Sequence, residues 1–334
     1  MKTFSRLALT LPLAVAAVVL LSNSHFKFAP DLAAVQAAGQ YPNQAPPDQG
    51  PDPADANQAP AGASYTTDAP PPDQGDDSYY AEQPTATATE PPPPLPGYMQ
   101  PPAPGDGYIW TPGYWAWGPY GYYWVPGVWV EPPYMGALWT PGYWGFYGSR
   151  YMWYPGHWGM HIGFYGGINY GFGYMGLGYE GGYWNSGRFF YNRVYNHIDE
   201  RMVHNVYSYR ANGRMGNNGN MGNNGRGYNN ARKNNMAPGN NMDRPSYRGG
   251  PNGVQSMPRP SEGAAFHEPT APRMDTQAQH AQNYSTMRGQ YASENHGRPA
   301  TAAESRPLHA DYGAQPQQHN NGKGQQGKHN GGNH

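Results

Sequence analysis

Eight tryptophans set in pairs are the residues of this chain whose type and spacing most plainly carry chemistry. They fall in four copies of one motif: Tyr108-Ile-Trp-Thr-Pro-Gly-Tyr-Trp115, Tyr122-Tyr-Trp-Val-Pro-Gly-Val-Trp129, Ala137-Leu-Trp-Thr-Pro-Gly-Tyr-Trp144 and Tyr151-Met-Trp-Tyr-Pro-Gly-His-Trp158. The pairs are Trp110 and Trp115, Trp124 and Trp129, Trp139 and Trp144, and Trp153 and Trp158. An indole offers a broad apolar face and one N–H donor, so it serves either of two ends. Turned inward, the eight form the core of a small sheet. Turned outward, they form an aromatic binding face that stacks on sugar rings or meets another protein.

The remaining chemical signals are weaker. His157 and His161 stand four apart, and His197, Asp199, Glu200 and His204 form a second loose cluster. A metal needs several such ligands converging at fixed geometry, and solvated polar residues are the expected reading of both groups. His319, His329 and His334 lie in a Gly- and Asn-rich tail. Gly171-Phe-Gly-Tyr-Met-Gly176 and Gly176-Leu-Gly-Tyr-Glu-Gly181 satisfy G-x-G-x-x-G. The dinucleotide fingerprint also requires a strand before and a helix after, and neither context is expected here. The chain has no cysteine and no G-x-S-x-G elbow. No catalytic residue, cofactor or metal site is expected.

The elements that carry the tryptophans should be strands. Tyr-x-Trp alternates β-forming residues, and the first tryptophans at 110, 124, 139 and 153 recur every 14 or 15 residues. Gly118-Pro-Tyr-Gly121 and Gly148-Ser149 are turn signals, so copies one and two pair as one hairpin and copies three and four as another. Glu131-Pro-Pro-Tyr-Met-Gly136 links them. The Pro-Gly inside each copy is the difficulty, because proline adds nothing to a strand ladder. The tryptophans of a pair are five apart, which places them on opposite faces of a straight strand. A bulge at Pro112, Pro126, Pro141 and Pro155 returns both to one face, with positive φ expected at Gly127. A type II turn at each Pro-Gly is the rival. Further on, four Gly-rich pentads over 166–185 read either as tight turns packing tyrosines or as an irregular loop. Tyr183-Trp-Asn-Ser-Gly-Arg-Phe-Phe-Tyr191 reads as a last hairpin.

Composition limits how much of the chain folds. Among 334 residues are 46 glycines and 37 prolines, and only 13% are charged. That balance, without a Gly-X-Y period, belongs to low-complexity chain. The expected fold is mainly β, a small antiparallel set of W-x-P-G-x-W hairpins flanked by long disordered segments. Residues 1–38 read as a signal peptide or membrane anchor and 39–107 as a disordered, acidic, Pro-rich linker. The four β repeats occupy 108–160, and a Gly/Tyr-rich extension with the terminal hairpin occupies 161–195. Residues 196–334 read as a disordered, basic, Asn/Gly/Gln-rich tail. From 28 to 149 there are twelve acids and no Lys or Arg; from 150 to 334 there are eighteen Lys or Arg against ten acids. Lys2 and Arg6 followed by the apolar run 7–21 have the layout of a secretory signal, short for a membrane span of about 20 residues.

The four copies resemble the repeat of bacterial exported proteins known for Trp-x-x-Gly-x-Trp or Tyr-x-Trp-Gly-x-Trp. Trp110-Thr-Pro-Gly-Tyr-Trp115 and its counterparts carry the resemblance, with Ala137 departing from the leading tyrosine. It extends through Gly166-Gly-Ile-Asn-Tyr-Gly-Phe-Gly-Tyr174 and touches Asn295-His-Gly-Arg-Pro-Ala-Thr-Ala-Ala303. The resemblance implies export to the cell envelope, to the periplasm, outer-membrane surface or medium, and no assigned activity. The expected function is structural or interactive rather than enzymatic. The alternative is a glycan- or peptidoglycan-binding module using the tryptophans. The expected partners are a cell-envelope polysaccharide, another envelope protein, or a second copy of the chain. Arg-Gly and Asn-Gly runs over 210–253 resemble RNA-binding segments, but export makes nucleic acid an unexpected partner.

Overall fold

The computed structural model describes residues 51–60, 83–210 and 244–310. The signal-like segment, residues 211–243 and the tail histidines lie outside the described residues. The fold is mainly β. Strand β1 (Ala86–Ala88) precedes the repeats. The first two copies supply β2 (Ile109–Thr111), β3 (Tyr114–Gly118), β4 (Gly121–Val125) and β5 (Val128–Val130). The last two supply β6 (Leu138–Thr140), β7 (Tyr143–Tyr147), β8 (Arg150–Tyr154) and β9 (His157–Gly159). Each copy is thus two strands with Pro-Gly between them.

The hairpins pair as the turn signals predict. β3 pairs antiparallel with β4 and β2 with β5; β7 pairs with β8 and β6 with β9. The expected bulge is absent. Thr111 faces Val128 and Tyr114 faces Val125, so the register runs unbroken across the gap. Pro112 therefore stands opposite Gly127, and Gly113 opposite Pro126. The second hairpin repeats the pattern, from Thr140 facing His157 to Tyr143 facing Tyr154. Both strands lose their ladder at the same level, because each carries a proline there with no N–H to give. A symmetric break needs no extra residue. Nor is φ positive at Gly127; the glycines are there for space. A Cβ on Gly127 would lie 2.6 Å from Trp110 Cζ2, and one on Gly156 would press equally on Trp139. The first tryptophan of each copy lies over the glycine of its partner copy.

The extension settles into tight turns rather than a loose loop. Gly171 and Gly173 both take positive φ around the short hairpin β10 (Asn169–Gly171) and β11 (Tyr174–Met175). The tyrosines they release inward are buried, and their hydroxyls cap carbonyls that the Pro-Gly breaks and turns leave unpaired. Tyr170 donates to the Gly142 carbonyl at 2.6 Å and Tyr165 to that of Gly178 at 2.8 Å. The last hairpin, β12 (Gly182–Asn185) with β13 (Arg188–Asn192), turns on Ser186 and Gly187, both at positive φ as a two-residue type I′ turn requires. β14 (Val206–Tyr207) adds in parallel to β13.

Two expected boundaries are corrected. Residues 83–107, assigned by composition to a disordered linker, run along the repeats, with β1 paired to β8. Residues 51–60 hold a 3₁₀ turn whose Asn57 is buried, donating to the Tyr179 and Gly182 carbonyls. Residues 244–310, assigned to a disordered tail, carry β15 (Tyr247–Arg248), α1 (Pro260–Phe266), β16 (Ala271–Pro272), α2 (Asp275–Ser285) and α3 (Ala292–Asn295). β15 extends the sheet at β7 and β16 pairs with β9.

The physical reason lies in the indole N–H. A buried donor without an acceptor costs about 1–3 kcal/mol. Trp115 donates to the carbonyl of Pro94, Trp129 to that of Pro101, Trp124 to that of Ala302, and Trp158 to Gln277 Oε1. Leaving those four unmet would consume much of the roughly 5–15 kcal/mol that stabilises a domain. Proline-rich chain suits the task because it brings carbonyls with few N–H groups needing partners. The flanks are ordered because the repeat core recruits them.

Candidate functional site

All eight repeat tryptophans are buried, none more than 9% exposed. The outward aromatic face is therefore corrected: these rings are the core. They meet in cross-strand pairs with ring centroids 5.1–5.5 Å apart, Trp110 with Trp129, Trp115 with Trp124, Trp139 with Trp158 and Trp144 with Trp153. Tyr98 touches both Trp110 and Trp124, so the four rings of the first hairpin join in one row. The Trp144 indole donates to the Trp115 carbonyl at 2.8 Å and ties the two hairpins together.

The other candidates of the sequence are not brought together as sites. His157 is buried in β9, while His161 pairs with Glu268 at 2.7 Å. His197 bonds to the Gln100 carbonyl, Glu200 pairs with Arg193, Asp199 with Arg201, and His204 with Asp106. Among the described residues no group of three or more His, Cys, Asp or Glu is placed to hold a metal. Neither G-x-G-x-x-G run opens a helix; both lie in the turns of the extension.

The tryptophans outside the repeats are the ones with surface to offer. Trp117 is 37% exposed near the tip of the first hairpin, beside Tyr120 at 75%. Trp184, half-buried on β12, lines an open cleft of about 570 Å³, within the roughly 300–1,000 Å³ usual for ligand sites. Its other walls include Asp106 and Tyr108 at the entry to the repeats, Glu131 and Tyr134 from the link between the hairpins, and Arg188 on β13. Three separate stretches, brought together by the pairing of copies one and two and by the last hairpin, thus build one concavity.

Its polar groups are held in place. The Asp106 carboxylate takes the His204 backbone N–H at 2.9 Å and the His204 ring at 2.7 Å. Partial burial works to raise the Asp106 pKa, but the hydrogen bonds from His204 outweigh it and hold the group below the usual carboxylate range. Glu131 lies 3.4 Å from His309 and accepts from the Ala310 N–H at 3.3 Å. Tyr108 Oη lies 3.3 Å from the His309 ring, and its pKa is raised by burial and by the Glu131 charge. The Trp184 indole donates to the Ala137 carbonyl at 3.0 Å, and its ring meets Phe189 edge-on. The arrangement supplies two fixed aromatic rings and two carboxylate acceptors. Sequence reading passed over it because Asp106, Glu131 and Trp184 are far apart in the chain and share no motif; the one available signal was a tryptophan outside the repeats.

A family model described as the WXXGXW repeat matches residues 105–130 as two copies. The chain is similar to that repeat over that stretch, which includes Asp106 and Tyr108 and ends one residue before Glu131. Comparison with curated proteins and with solved structures yields no match.

Proposed function

We propose that this WxxGxW-repeat chain is an exported bacterial cell-envelope protein of structural or interaction type, without catalytic turnover. One observation carries the reading: the repeat tryptophans go into the core, which leaves the cleft between Asp106, Glu131 and Trp184 as the surface shaped for recognition. Export is supported by Lys2, Arg6 and the apolar run over 7–21. The partner is an envelope component, a polysaccharide or another envelope protein, and the carboxylates lining the cleft disfavour nucleic acid. Self-association through the exposed Trp117 and Tyr120 is a compatible addition.

The test is fractionation of native cells followed by cross-linking. The protein should lie outside the cytoplasm, cross-linked to envelope material. Abundant full-length protein in the cytosol with its amino terminus intact would refute the proposal.

A further inference from the structure

We propose that the cleft takes a saccharide, its pyranose rings laid on Trp184 and Tyr108 and its hydroxyls bonded to Asp106 and Glu131. The inference rests on the cleft being the recognition surface and names its ligand class. A pyranose has an apolar C–H face and a rim of hydroxyls that both donate and accept. Aromatic walls suit the face, since the negative face of an aromatic ring attracts polarised C–H groups. Carboxylates suit the rim, because each ionised group is an acceptor with about four lone-pair sites and can take two neighbouring hydroxyls.

Charge argues for a neutral ligand. Asp106 and Glu131 repel anions such as phosphates, while Arg188 beside them opposes a cation. An apolar peptide offers the two carboxylates only its spaced backbone N–H groups, whereas a saccharide rim presents adjacent hydroxyl donors to each.

Preorganisation argues that these side chains are set for a ligand rather than left over from folding. Trp184 is pinned by its bond to Ala137 and its contact with Phe189, Tyr108 by His309, and Asp106 by His204. Binding then loses little side-chain freedom. The last residues of the described tail supply His309, so the tail takes part in shaping the site as well as covering the core.

The experiment uses the purified full-length chain. It is titrated with soluble hexasaccharides of glucose and of N-acetylglucosamine, and separately mixed with purified peptidoglycan sacculi. Binding is read by calorimetry, by the change in tryptophan emission and by co-sedimentation. At least one saccharide should bind, and Trp184→Ala and Asp106→Asn should each weaken it by about tenfold or more. Trp117→Ala should leave it unchanged. Thermal unfolding confirms that each variant is folded, and Arg188→Ala, an exposed rim change, provides a second probe of the cleft should Trp184→Ala unfold. Failure of every saccharide to bind, or binding that survives both Trp184→Ala and Asp106→Asn in folded protein, overturns the inference. A photo-cross-linker at Met135, 71% exposed on the cleft wall, separates that failure from failure of the parent reading. No saccharide binding but a discrete cross-link in native cells, lost in Trp184→Ala, overturns the ligand class and keeps the cleft. Neither binding nor cross-link overturns both.

Discussion

Replacing Gly127 with alanine should destabilise the fold by about 1–3 kcal/mol, the usual penalty for overpacking a filled core. The added methyl would stand 2.6 Å from Trp110 Cζ2, 2.9 Å from the Gly113 nitrogen and 3.0 Å from the Tyr98 hydroxyl. Carbon atoms prefer about 3.5–4.0 Å, so the gap has to open by close to an ångström. Little can yield. Trp110 is fully buried, and the Gly113 N–H is engaged with Tyr98 Oη at 3.0 Å. The value should therefore fall in the upper part of the range. Two other glycines separate space from backbone strain. Gly105 has open room and no positive φ, so Gly105→Ala should cost almost nothing. Gly121 has open room but φ of +98°, so Gly121→Ala should cost about 1–2 kcal/mol through the backbone alone. The assay is urea unfolding followed by tryptophan emission. Trimming the clashing ring with Trp110→Phe should be strongly non-additive with Gly127→Ala, by about 0.5–3 kcal/mol in the relieving direction. If Gly127→Ala is as mild as Gly105→Ala, or the two changes simply add, the interlocking of tryptophan over glycine is wrong.

Three further outcomes are expected. Ending the chain at residue 243 removes the acceptors of Trp124 and Trp158, so the emission maximum should move to the red and unfolding should lose cooperativity; an unaltered unfolding curve would show that the tail does not complete the core. His280 is held below its usual pKa range by burial, against the opposing pull of its bond to the Pro126 carbonyl and of Glu304. The unfolded chain then binds a proton that the native state resists, so stability should fall as pH drops below about 6.5, and His280→Gln should flatten that slope between pH 7.5 and 5. Trp124→Ala should cost about 3–5 kcal/mol in chemical denaturation, whereas Trp117→Ala, where the ring is 37% exposed and meets Tyr122 edge-on, should cost only about 0.5–1.5 kcal/mol.

The hairpins were legible in the sequence because their signals are local. Alternation around each tryptophan, Gly148-Ser149 and Asn185-Ser-Gly187 act within a few residues, and both hairpins turn where these residues stand. The Pro-Gly break was half legible. A proline without an N–H shows that the ladder stops, but whether one strand bulges or both stop together depends on what lies opposite. Only the pairing of Pro112 with Gly127 settles that. The flanks were misread for a related reason. Residues 83–107 and 244–310 have no periodicity of their own, and their order follows from bonds to partners far along the chain, such as Pro94 to Trp115 and Ala302 to Trp124. Composition reports how much core a segment can build for itself, and it is silent on what another segment's donors require. The cleft was illegible on the same grounds, since the first hairpin and the last one, about fifty residues on, must both fold before Asp106, Glu131 and Trp184 meet.

The central claim is that the repeat tryptophans are core and the recognition surface lies elsewhere, and acrylamide quenching of the folded full-length protein tests it most directly. With Trp117 and Trp184 both replaced by phenylalanine, the remaining emission comes from the eight repeat indoles alone. It should be blue-shifted and nearly insensitive to acrylamide, as expected for rings no more than 9% exposed. Strong quenching of that double variant would contradict the account and return the repeat tryptophans to an exposed binding face.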